Sequence, residues 1–591
     1  MTDATTPSEE PRFTANRRGM LRHDAGVRVL HLEGSDEEMA RQHAELLADD
    51  IRAGALPFMA GFLSRHVEAG GSLAARLGAG LLGRGLDLLC LLVARNLPLA
   101  QRRPFHLVAA AAGLSPREAE LAIGLPDALV IMMDVAARVR AWGAHLRPLD
   151  LAARWRGGAA AAFGCSGAIA LPSVTADRHL LHARNLDYDG LGTYDRYPTV
   201  AFCRPARGLP YAWIASAGVH TAALNGLNAA GLFLGSNTAP TTDLSVRGVP
   251  FFAPNEHVVR EARTLGEAVD LLGKLRVASG YNVHLSHGPS NDAVIVECGF
   301  SRRRVRTPQD GLLWTTNHYV DPEMARTTPA NGLVDPSNTL GRYERLRALL
   351  VGARGRIDVP FLVGCLRDQV EHRTGEVHPF GDVVCNYLTI ASVACDVTTA
   401  RLWVAADPAP ATLGRFVDLD FHRELDAFGR GREYPLKPLK ADAAVRPLTL
   451  AAIQDIQQAH LALTRPGQEE AAYRHVQAAA ARCPAEPRLL LQQAFLALKL
   501  RRLDAAVAHA EAFLAAAPAD EPRRHRAHLV LAWSAELEGA DAAGHHAAAD
   551  AAARGSTQAE AEVAPYRRCR FTERDRRALQ VDLYNARRFP I

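Results

Sequence analysis

The sequence predicts a layered α+β protein, on three observations. From Phe163 to about Pro410, short β-type runs alternate with Gly, Asp and Asn. Before them, from about Val27 to Arg156, apolar residues recur at the three-and-four spacing of helices, apart from one short opening strand. After residue 447 the chain turns Ala-rich and helical. Many short strands with a few helices make stacked antiparallel sheets covered by helices the expected core.

In chain order, residues 1–26 are polar (MTDATTPSEEPRFTANRRGM opens the chain) and are expected to be flexible. They carry no apolar core of a signal peptide, so the cytoplasm is the default compartment. The strand Val27 to Leu32 follows, then Ser35 with Glu38 three residues on, a capping box that opens a helix. The apolar stretch Leu77 to Ala100 has the length of a membrane span, but Arg84, Asp87 and Arg95 interrupt it, so a buried or groove-lining helix is expected and no transmembrane segment. The strand region begins at CSGAIAL and continues through HLLHARNLDY, TVAFCRP, YAWIASAG, GLFLGSN, YNVHLSHG, AVIVECGF, LLWTTNHY, VCNYLTIASVACD and RLWVAAD. Helices interrupt it at Pro254 to Val277 and Leu340 to Val351. The segments drawn from this pattern are 27–164 (helical), 165–433 (core), 434–447 (a Pro- and Lys-containing linker), 448–560 (helical repeats) and 561–591 (tail). Pro484 and Pro518, 34 residues apart, each close an Ala-rich helix, which is the tetratricopeptide period. An Ala-rich helical hairpin array of no specific family is the alternative, and either way the array reads as an appendage that could recruit a protein partner.

With 591 residues, 48% hydrophobic and 22% charged, the chain has ordinary globular composition and length for several units. A net charge of +4, scattered, excludes the basic footprint of a nucleic-acid binder. The nine cysteines stand singly, without CxxC or zinc spacing, which fits a reducing compartment. His182, His284 and His287 fall on strands without a carboxylate at ligating spacing, so no metal is expected. GAGLLGRG around Gly78 to Gly85 follows no strand, which leaves no phosphate cradle and no cofactor.

Gly164-Cys165 has the form that a self-processing nucleophile requires, because the small glycine leaves its carbonyl open to the next thiol, but the pair by itself proves nothing. Arg184 and Asp187 lie on the following strand, and period two puts them on opposite faces unless a bulge or strand end intervenes.

An ordered set of motifs resembles the acyl-CoA:6-aminopenicillanic acid acyltransferase-like branch of the N-terminal nucleophile (Ntn) hydrolases, related to choloylglycine hydrolases and penicillin V acylase. They are LEGSDEEMARQHAELL (with Ala44 where the family usually has glycine), GCS, ARNLDY, LNAAGLFLGSN, VIVECG, TTNHY and TIASVACDVTTARLWVAAD. The resemblance covers about Val27 to Pro410. It implies a four-layer αββα sandwich and a zymogen that cuts itself at Gly164-Cys165, with 27–164 staying docked as a helical pro-segment or small subunit. It also implies that Cys165 acts through a thioester, that Asp187 holds the α-amine of Cys165, and that Arg184 lies near the sulfur. Asn317 is implied as the oxyanion donor with Asn237 as a second candidate, and Tyr188 and Arg342 as substrate-binding residues, with Arg345 competing for the place of Arg342.

The function expected is hydrolysis or transfer of the acyl group of a small non-peptide amide. The alternatives are a lipid acyl hydrolase whose groove is lined by Leu77 to Leu97, and an inert Ntn core whose repeats recruit a partner.

Overall fold

The computed structural model describes residues 10–62, 73–142, 164–329 and 336–588, apart from positions 379, 431, 433, 485, 520, 568 and 584–586. Two sheets form the centre. The first has ten strands: β1 (Arg12–Phe13), β2 (Met20–Asp24), β3 (Val27–Gly34), β6 (Pro198–Pro205), β7 (Tyr211–Ser216), β8 (Asn225–Asn228), β9 (Leu232–Thr238), β10 (Tyr281–His287), β11 (Asp292–Cys298) and β12 (Arg303–Arg306), in that spatial order. The second has six, in the order β13 (Leu312–Thr315), β4 (Gly164–Ala170), β5 (Leu181–Asp187), β14 (Thr389–Asp396), β15 (Arg401–Ala405) and β16 (Phe416–Asp420). Neighbours pair antiparallel except β3 and β6, which run parallel.

Alternation along the strands builds three apolar layers. Between the sheets lie Val29, Phe202 and Phe233 of the first and Ile169, Val393 and Leu402 of the second. The outer face of the ten-stranded sheet packs Leu30, Trp213 and Val283 on Met39, Val108, Val258 and Leu272 of helices. On the outer face of the six-stranded sheet, Ala168, Leu181 and Trp314 meet Leu346, Leu350 and Leu362. Helix, sheet, sheet, helix is the αββα order the family resemblance implied.

Several expectations are met closely. Ser35 caps the helix Asp36–Leu46, and Glu38 returns the bond to the Ser35 N–H. Helices occupy Phe252–Glu261, Leu265–Lys274 and Pro336–Gly352. No helix among the described residues is long and apolar enough to cross a membrane. In the helix Leu73–Arg95, Leu86, Cys90 and Val93 are buried while Leu88 and Leu92 face out.

Other expectations need correction. The stretch expected to be flexible through residue 26 builds β1 and β2, held by the ladder Met20↔His31 to Asp24↔Val27; residues 1–9 lie outside the described residues. Because β1, β2 and β3 all join the large sheet, the segment before Cys165 is part of the sandwich as well as a helical layer; its last stretch, 143–163, is outside the described residues. The strand pattern does not stop at Pro410: β16 closes the small sheet. Beyond it, helices Pro447–Leu463, Glu469–Arg482, Pro487–Lys499, Leu503–Ala516, Arg524–Glu538 and Ala543–Ala553 stack in sequence, with Pro484 and Pro518 in the connections. These helices share one apolar core with Leu191, Tyr194, Tyr387 and Ile390 of the sandwich, so they are no appendage.

Candidate active site

Cys165 sits on β4, the second strand of the small sheet, flanked by β13 and β5. Register decides what surrounds it. Cys165 lies opposite Leu186 and Gly167 opposite Arg184, so sulfur and guanidinium share the face turned to the other sheet. Gly164 lies opposite Asp187 at the end of β5, which puts that carboxylate on the outer face, beside the Gly164-Cys165 bond. Sequence spacing had placed Arg184 and Asp187 on opposite faces, and the structure keeps them there.

On the inner face, Arg184 Nη2 donates to Cys165 Sγ at 3.4 Å, its Nε to Asn237 Oδ1 at 3.1 Å and its Nη1 to Asn225 Oδ1 at 3.4 Å. The guanidinium is 2% exposed, so its field on the sulfur is little screened by water. Burial pushes the Cys165 thiol above its ordinary value, and Arg184 and Arg342 pull it back in part. A Cβ at position 167 would lie 2.4 Å from His284 Cε1, so only glycine fits two residues beyond the nucleophile.

On the outer face, Asp187 accepts from Thr389 Oγ1 at 2.7 Å and from Asn386 Nδ2 at 2.9 Å. Burial raises its carboxyl to about 6, against the pull of Arg342 and these two donors. Asn317 follows β13, whose ladder runs Thr315↔Gly167, so two residues on it reaches Cys165. Its Oδ1 accepts the Cys165 N–H at 2.7 Å and Arg342 Nη2 at 2.9 Å, while its Nδ2 donates to the Thr238 carbonyl at 2.8 Å. Two donors facing one atom fix that atom as the oxygen. The amide expected to donate to an oxyanion is therefore committed elsewhere, and Asn317 addresses the Cys165 nitrogen. Asn237 keeps the more available donor: among the described residues its Nδ2 reaches only Thr316 O, at 3.5 Å.

Arg342 and Arg345 separate cleanly. Arg342 donates to the Cys165 carbonyl (2.7 Å), Ser166 Oγ (3.0 Å), Asn317 Oδ1 and Asn338 Oδ1 (3.0 Å), whereas Arg345 pairs with Asp368 at 2.7 Å. The expectation that Arg342 binds substrate is corrected: all three of its guanidinium nitrogens are occupied by protein oxygens, and it is fully buried behind the sheet.

A pocket of about 970 Å³, including its open mouth, reaches Cys165, Arg184, Asp187 and Tyr188. Leu56, Met59, Phe105 and Ile123 from before Cys165 and Leu224 and Phe252 from after it give it an apolar wall. Tyr188, expected to bind substrate, is among the residues that line it. The Leu77 to Leu97 stretch does not line this pocket among the described residues; helices Ala55–Ala60, Leu99–Ala111 and Pro116–Trp142 do. His182 bonds Ser286 Oγ through Nδ1 at 2.8 Å, and His287 bonds Ser290 Oγ at 2.8 Å.

Asn386, Thr389, Asn338 and Asn225 were not singled out in the sequence. The CNYLT run containing two of them reads as ordinary strand, and their role shows only once β5 and β14 are paired.

Residues 174–351 match the family model for acyl-coenzyme A:6-aminopenicillanic acid acyl-transferase. The matched stretch contains Arg184, Asp187, Asn237, Asn317 and Arg342 and begins after Cys165. A protein of Archaeoglobus fulgidus, described only as uncharacterized, is 24% identical over 363 residues, which is 56% of this chain; the chain spans 56% of that relative's length. Among solved structures, a mutant conjugated bile acid hydrolase from Clostridium perfringens aligns at 12% identity over 47% of this chain and 97% of its own, with a TM-score of 0.31.

Proposed function

We propose that the chain is a self-processing cysteine amidase or acyltransferase for substrates with an apolar acyl group. The observation that carries this reading is the placement of Cys165: its sulfur faces an apolar pocket under Arg184, and its nitrogen and carbonyl are held by Asn317 and Arg342.

In maturation, Sγ attacks the Gly164 carbonyl carbon and the C–N bond to Cys165 breaks. The Cys165 nitrogen takes the proton and becomes an amine. Water then hydrolyses the thioester, leaving a Gly164 carboxylate and a free thiol. The new α-amine, of ordinary pKa about 7.7–8.0, is a usable base near neutrality. Asn317 Oδ1, which already accepts the Cys165 N–H, keeps accepting from that amine, and Asp187 lies across from it. In turnover the amine takes the thiol proton as sulfur attacks the substrate carbonyl. Asn237 Nδ2 serves the oxyanion, an interaction worth about 3 kcal/mol in comparable sites. The leaving amine departs with the proton, and water or a second amine resolves the thioester.

The almost wholly apolar pocket wall also favours the lipid reading, in which the acyl group is a long chain and the bond cleaved is an amide or ester. Intact-mass and N-terminal analysis of the protein beside Cys165→Ala tests the core claim. Two fragments, one starting at Cys165 and absent from the variant, are expected; an uncut wild-type chain overturns it. Short acyl amides against long-chain N-acyl and ester substrates then separate the two substrate readings.

A further inference from the structure

Residues 367–388, between the helix Val359–Leu366 and β14, touch the site on one side and the C-terminal helices on the other. Toward the site, Asn386 donates to Asp187, and Asp382 Oδ1 accepts from Asn338 Nδ2 at 3.2 Å. Asn338 in turn accepts from Arg342 Nε at 3.0 Å, and Arg342 holds the Cys165 carbonyl.

Toward the helical array, Arg523 pairs with Asp382 Oδ2. Arg488 donates to the Phe380 carbonyl at 3.2 Å and lies 3.1 Å from Glu371. Arg373 meets Glu521 at 2.6 Å, and His378 meets Glu486 at 2.5 Å. Arg488, Arg523, Asp382, Glu371 and Glu521 are all buried. Around them Phe380, Cys385, Tyr387 and Leu388 share a core with Ile453, Ile456, Leu489 and Phe495 of the array. The two arginines hold the Asp382 carboxyl well below the ordinary range in spite of its burial.

Ion pairs this deep add little stability over an apolar contact of the same volume, because both charges lose their water. What they add is direction: an apolar face seals the junction in many registers, whereas Arg523 and Arg488 accept the loop in one. We propose that Arg523 and Arg488 are positioning residues for the Cys165 site, acting through Asp382, Asn338 and Arg342 on the Cys165 carbonyl, and that the C-terminal helices are an integral support of the nucleophile. The kinetic test rests on the self-processing reading, and a second measurement does not.

Full-length wild type, Arg523→Met, Arg523→Lys and Arg526→Met are compared. Arg526 pairs with Glu562 inside the array and is equally buried, so its loss weakens the array without releasing Asp382. Cleavage at Gly164-Cys165 is followed by mass during cell-free synthesis, and Cys165 alkylation by peptide mass. Arg523→Met is expected to slow cleavage at least tenfold and to raise hydrogen exchange in 367–388. Arg523→Lys is expected to recover most of the rate, and Arg526→Met to lower Tm while staying within twofold of wild type. Arg523→Met within twofold of wild type, or Arg526→Met slowing cleavage equally, overturns the proposal. If Arg523→Met yields no folded chain, Asp382→Asn takes its place with the same two outcomes. A wild-type chain that stays uncut refutes self-processing instead. The positioning claim is then decided by Cys165 alkylation: a tenfold change in Arg523→Met relative to Arg526→Met supports it, and no change refutes it.

Discussion

Replacing Arg184 by methionine removes the positive charge beside Cys165 Sγ while keeping most of the side-chain volume. The separation is 3.4 Å and the guanidinium is 2% exposed. At an effective dielectric constant of about 20, two unit charges at that distance attract by roughly 5 kcal/mol; halving this for relaxation leaves about 2.5 kcal/mol, near seventyfold in the thiolate equilibrium. Burial keeps the wild-type thiol above its ordinary value, so at pH 8 only a small fraction is thiolate, and that fraction falls in proportion when the charge goes. The assay is the rate of Cys165 alkylation by iodoacetamide at pH 8, read from the peptide that carries it so that exposed Cys569 does not interfere. Arg184→Met is expected to react about seventyfold more slowly, and Arg184→Lys to recover much of the difference. Equal rates for wild type and Arg184→Met would refute the electrostatic role, because a unit charge lost at this range must change the thiolate fraction.

Four further outcomes follow from the same structure. Burial raises Asp187 from 3.8 to about 6, so the stability this residue contributes is present below pH 3.8 and lost as pH rises through about 6; in a Cys165→Ala background, Asp187→Asn should gain up to roughly 3 kcal/mol at pH 8 and nothing at pH 3.5, by urea denaturation. On the proposed reading the ionised Asp187 steadies the Cys165 nitrogen as the Gly164-Cys165 bond breaks, so self-cleavage should move the other way and fall as pH drops through about 6, and a flat profile from pH 5 to 8 would remove Asp187 from the mechanism. Ile123→Trp narrows the apolar pocket and should raise KM for long acyl chains at least tenfold while sparing short ones and self-cleavage; equal effects on both would move the acyl site elsewhere. Ser35→Ala breaks the capping box and should cost about 1 kcal/mol in thermal unfolding, with Ser35→Thr near wild type.

How much of this was legible in the sequence depends on the range of the interaction concerned. Ser35 and Glu38 are three residues apart, so their cap could be read directly, and so could the helix around Arg342. Period two correctly separated Arg184 from Asp187, but what each meets is set by pairing partners far along the chain: Asn237 for one, Asn386 and Thr389 for the other. Asn317 was found by motif, yet which end of its amide faces Cys165 is decided by Arg342, 25 residues on. The N-terminal strands were missed because RF and MLRHD are too short and too polar to alternate visibly; their partner β3 makes them strands. The helical array reads as an appendage in the sequence because the partner of its interior-facing arginines, Arg488 and Arg523, lies far back in the chain at Asp382.

The parallel ladder between β3 and β6 joins a strand from before Cys165 to one from after it. A break at Gly164-Cys165 would therefore leave two polypeptides sewn together along the middle of one sheet. Such a nick is silent in a native sizing column and visible only under denaturant. It also runs one way: once pulled apart, each piece would carry a raw strand edge and half an apolar layer, the surfaces that seek any other edge in solution. Maturation would thus spend the chain's ability to refold, and the finished particle would owe its lifetime to never coming apart.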